Sequence, residues 1–542
     1  EAYKLALTSD LLTAVFQTPD SLPGMPSDML AWELPPGVTA RSLLNDPQRS
    51  GYQFDHATGE YWMRSGIAGF AEDAAQHFFL PERYTDPFDA TTTLVFDPLD
   101  LYVRSTTDAL HNRSEVLRFD HRALMPMEII DANGNNTEAS LDILGQVVAV
   151  AVKGKSVGGA WEGDDLDAFR ADIILRNPST TDVQAFCTAP VLDEAQARRW
   201  LSRASSRFVY HFGEARAADG TVTAWAIRPA MACAIAREVH ASQPGGATSP
   251  LQVALECSDG GGNVLMKKVQ AEPGIEGGPL CWLVNGLTML NNKGKPVKQY
   301  EPFFSERFGC EMPREEGVTP ILFYDAAGRV VRTDMPDGTY AKVEFSSWHT
   351  TQFDAGDTVL DSVWYAERGS PDPTVPLPRG IDGALTISPE VRAAWLAAKV
   401  ANTPGRTYLD SLGREVIAIT HHRKPDETAL PMGEWSIAER PWNDEYHLTH
   451  TKLDPEGKPL WVRDARGNLV MQYVHPPKPD NDPSDEVPRD RVPTYDIAGN
   501  LLFQHSMDAG DRWSLNDAAG QPFLAWDLND VLDSEGTAHL EA

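Results

Sequence analysis

The stretch Leu322-Phe-Tyr-Asp325-Ala-Ala-Gly328-Arg329-Val-Val-Arg332 sets an apolar or aromatic residue and Asp ahead of two variable positions, then Gly and a long polar residue. The same six-residue unit returns at Leu141-Asp142…Gly145-Gln146, Leu409-Asp410…Gly413-Arg414, Leu453-Asp454…Gly457-Lys458 and Tyr495-Asp496…Gly499-Asn500. Its Asp-x-x-Gly core also occurs at Asp131, Asp259, Asp464 and Asp517, which makes nine copies. Asp accepts a hydrogen bond from backbone two residues on, and Gly supplies the positive φ that closes the turn. Apolar alternation flanks the copies, as in Val147-Val-Ala149-Val-Ala151, and a period of two marks strands with one buried face. Asp97, Asp120 and Asp142 stand 23 and 22 residues apart, and Asp496 and Asp517 stand 21 apart. Two strands of about seven residues and two turns fill such a unit. Each repeat is then one hairpin, and hairpins chained end to end form a long sheet that wraps or stacks to bury a face. The expected fold is all-β.

Several segments break the pattern. Asp10 to Gln17, Ala71 to Leu80, Leu192 to Arg203 and Val391 to Val400 read as helical. For the last, Ser388 is the expected N-cap and Pro389 the first helical residue, with Val391, Trp395 and Ala398 on one face. Ser370 to Arg379 and His475 to Pro493 are Pro-rich and read as extended surface loops. The expected organisation is a mixed N-terminal region over 1–95, repeat strands over 96–155, an insertion over 156–250 and repeat strands over 251–365. A loop and helix insertion over 366–405 follows, then repeat strands over 406–542 with the Pro-rich loop at 475–493.

The chain has 542 residues and a formal net charge of −31. That charge argues against a phosphate-tracking nucleic-acid surface and against docking on an anionic leaflet. The apolar run Val147 to Val152 has strand length and falls far short of the ~18 residues of a spanning helix. Glu1 stands where a start Met is expected, and no signal peptide follows it, so the chain is expected to be a piece of something larger. The five cysteines, Cys187, Cys233, Cys257, Cys281 and Cys310, are odd in number and lack C-x-x-C spacing. They are expected to be buried free thiols, with no disulfide framework and no zinc site.

No constellation stands out as catalytic. His447 and His450 fall on opposite faces of a strand, as do His421 and His422, so neither pair converges on a metal. No nucleophile elbow, P-loop or dinucleotide fingerprint occurs, and Gly260-Gly261-Gly262-Asn263 sits in a turn copy. The placeable Asp residues belong to turns, so a carboxylate pair for glycoside hydrolysis is not expected among them. Trp282, Trp348, Trp364 and Trp526 are expected in sheet packing, with sugar stacking as the functional alternative. Catalytic, cofactor and metal residues are therefore each expected to be none.

The Tyr-Asp-x-x-Gly-Arg unit resembles the YD repeat of the RHS family. Longer strings are similar to the B component of insecticidal toxin complexes: Asn291-Asn-Lys-Gly-Lys-Pro-Val297, Tyr300-Glu-Pro-Phe-Phe304, Trp348-His-Thr-Thr-Gln-Phe-Asp354 and Ser506-Met-Asp-Ala-Gly-Asp-Arg-Trp513. Leu515-Asn-Asp-Ala-Ala-Gly520 and Asp131-Ala-Asn-Gly-Asn135 fit as well. The resemblance runs from about Phe96 to Asp527, with gaps at 155–250 and 365–405, and is weaker over 1–95.

The resemblance implies an all-β RHS/YD-repeat sheet spiral, a segment of a hollow shell with a few helical insertions. It also implies a non-enzymatic role in enclosing and delivering a toxic cargo with a C-type RHS partner. The pore-forming A component would be reached only through regions outside this chain. It further implies a secreted, extracellular bacterial toxin complex assembled in the cytoplasm of the producing cell, with no cofactor, no nucleic-acid partner and no direct membrane binding. The alternative is a secreted carbohydrate-binding or carbohydrate-active β-repeat protein. A stand-alone adhesin is a third reading.

Overall fold

The computed structural model describes the chain from Ala2 to Leu532 and residues 538–539, apart from 18–26, 32–33, 35–36, 159, 218–220, 226, 275–277, 279, 287, 312–313, 315–316, 318, 427, 429–440 and 528–530. The chain divides into two compact units: Glu1–Ala68 with Tyr84–Ala90 and Leu322–Ala542, and Gly69–Arg83 with Thr91–Ile321. Both are mostly antiparallel β, with a few helices.

All nine turn copies adopt one geometry, and the reason lies in the unit itself. In each, the Gly N–H donates to the Asp carbonyl and the Asp N–H donates to the carbonyl of the sixth residue; at Asp131 both bonds are 3.0 Å. Every one of the nine glycines has positive φ. The Asp carboxylate reaches further than the two residues expected. Oδ1 of Asp131 takes the N–H of Asn133 and of Asn135, and Asp464 does the same with Arg466 and Asn468. The residue after Gly then folds back onto Oδ2: Asn135, Asn263, Asn468 and Asn500 by their amides, Arg329 and Arg414 by their guanidiniums. Six of the nine copies thus carry a donating side chain there.

The same turn occurs where the sequence carries no Gly. Asp108 receives the N–H of Leu110 and Asn112, with His111 at φ 65 in the Gly position. Asn291 replaces Asp in the turn closed by Gly294. A side chain in the left-handed region costs about 1–2 kcal/mol. His111→Gly is therefore expected to stabilise its unit by about 1 kcal/mol. Gly134→Ala, at φ 79 with open space around the added Cβ, is expected to cost about 1–2 kcal/mol. Urea denaturation midpoints of the two variants check this; equal shifts in one direction would contradict it.

Hydrogen bonds from the following Asn or Arg side chain, then from backbone, hold the carboxyls of Asp108, Asp131, Asp259 and Asp410 below the usual carboxylate range. A depressed folded pKa contributes stability above the unfolded value of about 3.9 and loses it as pH falls through the folded values. Stability is thus expected to be level near neutrality and to drop below about pH 4. A denaturation midpoint that stays flat from pH 5 to pH 2 would contradict this.

In the unit containing Thr91–Ile321, twelve strands lie side by side in chain order: Thr91–Phe96, Val103–Thr107, Arg113–Asp120, Met125–Ile130, Asn136–Leu141, Val147–Gly154, Ser206–His211, Ala230–Arg237, Leu251–Ser258, Val264–Ala271, Cys281–Val284 and Phe303–Ser305. One face carries the core, formed by Ala149, Val209, Cys233, Leu255, Met266 and Trp282 among others. The helices Thr180–Thr188 and Glu194–Leu201 lie on it, contributing Val183, Phe186, Trp200 and Leu201. Only Glu194–Leu201 was readable from periodicity. Asp167–Ala171 and Ile173–Arg176 run for only 5 and 4 residues, and Thr180–Thr188, though 9 long, mixes β-branched and polar residues with its buried Val183, Phe186 and Cys187, which blurs its stripe. Over Ala71–Leu80 the expected helix shrinks to a 3-10 turn at Ala74–Gln76, since Phe78 and Phe79 take positive φ and leave the helical path.

The cysteine expectation needs correction in one pair. Cys187, Cys233 and Cys281 are buried free thiols, but Cys257 and Cys310 form a disulfide across a separation of 53 residues. Cys257 faces the core from its strand, and Cys310 packs against the same core after a chain reversal that spacing alone does not reveal.

In the other unit, the strands from Val330–Asp334 through Tyr340–Phe345, His349–Phe353, Gly405–Leu409, Glu415–Pro425, Trp442–Leu453, Pro459–Arg463, Leu469–Gln472, Phe503–Ser506, Gly510–Asn516 and Pro522–Asp527 also follow chain order. The first residues fold back on the last of these. Leu12, Val15, Phe16, Tyr52 and Tyr61 share a core with Leu502, Phe503, Trp513, Leu515 and Trp526. Trp513 donates its indole N–H to the Val15 carbonyl at 2.8 Å, and Ala518 donates to the Ser50 carbonyl. The helix Pro389–Lys399 forms as expected: Ser388 caps Val391, and Trp395 and Ala398 are buried, with Val391 half-buried. The segment His475 to Pro493 is more than a surface loop. Val474–His475 pairs with Val492–Pro493, and the buried Lys478 ammonium holds the carbonyls of Ser484 and Glu486. A cation surrounded by carbonyls folds this Pro-rich segment back on itself.

Candidate functional site

The register of the Thr91–Ile321 unit creates an unusual pair. Glu138, on Asn136–Leu141, stands directly opposite Glu128, on Met125–Ile130. Like charges facing each other across a ladder repel, so the pair requires cations. Arg118 comes from the next strand in register with Glu128, Lys153 from Val147–Gly154, and Arg170 from the helix Asp167–Ala171. Lys153 Nζ lies 2.7 Å from Glu128 Oε1 and 3.9 Å from Glu138 Oε2. Arg118 and Arg170 both donate to Glu138 Oε1, and Asn136 donates to Glu128. The Trp161 ring covers the Lys153 ammonium at 4.6 Å. Burial pushes the Glu128 carboxyl up, but the hydrogen bond and charge of Lys153, with Asn136 and Arg118, outweigh it and hold it below the usual range.

General acid catalysis on a glycoside needs one carboxyl that keeps its proton and one that does not. Glu128 is held below the usual range, and both carboxylates sit beneath three cations, Arg118, Lys153 and Arg170. The chemical effect of this network is to fasten the helix Asp167–Ala171 to the sheet.

A second depression, of about 650 Å³, lies in the unit containing Leu322–Ala542 and is lined in part by Arg332, Lys342, Asp354, Asp357, His421 and Arg423. Its acids are committed to backbone. Asp354 and Asp357 cap each other's N–H at 2.9 and 3.0 Å, and Asp357 also accepts from the Thr403 N–H and hydroxyl. Arg423 and His421 share the Asp444 carboxylate.

The histidines fall as strand geometry requires. Thr420 pairs with His447 and Ile417 with His450, so His447 and His450 occupy opposite faces, as do His421 and His422. Sequence spacing does not show that the neighbouring strand brings His447 within 5.7 Å of the His422 ring, with Glu445 alongside. Among the described residues no group of three or more His, Cys, Asp or Glu is placed to hold a metal ion. Of the four tryptophans, Trp282 and Trp526 are buried, Trp364 packs under Arg368, and Trp348 stands 60% exposed.

The sheet face opposite the helices in the Thr91–Ile321 unit is a further candidate. Phe304, Leu283, Val269, Ala254, Ala234 and Phe208 form one cross-strand row there. Phe304, Val269 and Leu283 are exposed on it. The sheet thus has one face covered by helices and one bare, apolar-striped face.

No protein-family model matches the chain, and no curated protein matches it. Solved structures do. The crystal structure of TcdB2-TccC3 is similar with a TM-score of 0.64 and 18% identity, over 97% of this chain and 22% of that one. A structure of the Photorhabdus luminescens Tc holotoxin pore matches with a TM-score of 0.65 and 17% identity, over 97% and 24%. The crystal structure of TcdB2-TccC3-Cdc42 matches at 0.63 and 17%, over 99% and 25%. The chain thus spans about a quarter of the length of the chains it matches. It has the mostly β fold of a segment of these toxin-complex chains.

Proposed function

We propose that this chain is a wall segment of an RHS-type shell, of the kind found in B components of toxin complexes, and that it acts with a C-type RHS partner to enclose a toxic cargo. The observation that carries this is the chain-ordered antiparallel ladder, closed by one repeated Asp-x-x-Gly turn and superposable over nearly its whole length on toxin-complex chains. A strand wall satisfies its own backbone hydrogen bonds and so can separate two compartments without needing a ligand. The role is passive: the Glu128–Glu138 pair is neutralised by Arg118, Lys153 and Arg170, and the acids of the larger depression serve as backbone caps. Delivery outside the producing cell accords with the disulfide, which persists in oxidising surroundings. Membrane contact through a spanning helix is not part of this reading, since no helix among the described residues is long and apolar enough.

Co-expression with a C-type RHS partner tests it by size-exclusion chromatography with light scattering. A stable one-to-one complex is expected. Separate elution of two folded proteins would overturn the proposal and favour a binding role, for which glycan screening is the next test.

A further inference from the structure

A cavity of about 300 Å³ in the Thr91–Ile321 unit lies between the turn of Asp142–Gln146, the start of the helix Thr180–Thr188 and the strand Ser206–His211. Two arginines line it without a carboxylate partner among the described residues. Arg207 is 1% exposed; its Nη1 donates to the Val148 carbonyl at 3.0 Å, its guanidinium lies over the Phe169 ring, and its Nε has no partner. Arg176, at the end of its short helix, likewise leaves a buried Nε unpartnered. The oxygen of the Gln146 amide on the same wall is also buried and unpartnered.

The acids lining this cavity are already engaged. Asp142 Oδ1 takes the N–H groups of Leu144 and Gln146, and Glu214 takes Phe212 N–H and Arg216. Burial pushes the Arg207 guanidinium down to about 10, the nearby Asp142 offsetting only part of that, so it stays charged at neutral pH. A buried cation that no carboxylate meets by a hydrogen bond is costly, and a guanidinium with an unpartnered Nε–H matches the oxygens of a carboxylate. The volume is at the small end of ligand sites.

We infer that this cavity is a carboxylate-binding site in which Arg207 and Arg176 supply the cationic donors. The carboxylate comes either from a small dicarboxylic acid or from an acidic side chain of a polypeptide, and the site serves no reaction. The inference does not rest on the shell reading.

Isothermal titration of the whole chain with succinate, and separately with a short Glu-rich peptide, distinguishes the two sources. Succinamide, the Gln counterpart peptide and sodium chloride at matched ionic strength are the controls. Saturable binding of succinate identifies a small-molecule site, and binding of the Glu peptide alone identifies a polypeptide one. Arg176→Gln, half-buried at a helix end, is expected to keep the fold by circular dichroism and to weaken binding about tenfold or more. Arg207→Met removes the unpaired charge and is expected to abolish binding without loss of folded protein. Neither carboxylate probe binding above its amide and chloride controls, or equal binding by wild type and Arg176→Gln, would overturn the assignment.

Discussion

Removing the Cys257–Cys310 disulfide, by reduction or by Cys257→Ser, is expected to lower the stability of the Thr91–Ile321 unit by about 4 kcal/mol. The magnitude follows from loop closure. Cross-linking a loop of 53 residues removes about 14 cal/mol/K of entropy from the unfolded chain, which at room temperature is about 4 kcal/mol. For a unit of this size the melting temperature should fall by roughly 10 °C. Calorimetry with and without a reductant measures it, and Cys187→Ser serves as a control that leaves the bridge intact. A melting temperature unmoved by reductant, with both thiols newly open to alkylation, would contradict the estimate. The bridge ties the strand Leu251–Ser258 to the segment after Phe303–Ser305, so its loss should first loosen the end of the ladder where Phe303 and Phe308 close the core.

Glu138→Ala should cost about 3 kcal/mol. Deleting one member of a buried ion network leaves its partners desolvated and unpaired, typically at 3–5 kcal/mol. The lower end applies because Arg118 and Arg170 are 41% and 44% exposed and can return to water, while Lys153 retains Glu128. Glu138→Gln keeps an acceptor for the same donors and should cost about half as much. Urea titration of both variants decides the matter. An alanine variant as stable as wild type would mean that the network holds nothing together, and the helix Asp167–Ala171 would then need another anchor. If the pair were instead an acid–base dyad, Glu138→Gln would abolish a hydrolytic activity without loss of stability, the opposite of the expected pattern.

The repeated turns were legible because everything that makes them is local. Asp, Gly and the donating sixth residue lie within five positions of one another, so each copy can be read from its own letters. The turns at Asp108 and Asn291 escaped because His111 and Asn291 stand where the pattern calls for Gly and Asp, though the backbone geometry is the same. The helix at Pro389–Lys399 was legible from its Ser-Pro-Glu start, whereas the short helices ahead of Glu194 carry their information in contacts with the sheet beneath. What could not be read was anything depending on register between strands. Glu128 and Glu138 are ten positions apart and become neighbours only once the hairpin pairing is known. The same holds for His422 with His447, and for Arg207 beneath Phe169. Net charge of −31 did not foretell a cluster of three cations on one face, since a sum carries no positions.

Protease protection tests whether this ladder is the proposed wall around a cargo. The chain would be co-purified with its C-type RHS partner, the partner's C-terminal cargo segment carrying an epitope, and the complex treated with a broad-specificity protease. The epitope is expected to survive in the complex and to be cleaved at once when the partner is treated without this chain. Cleavage at the same rate in both would contradict it.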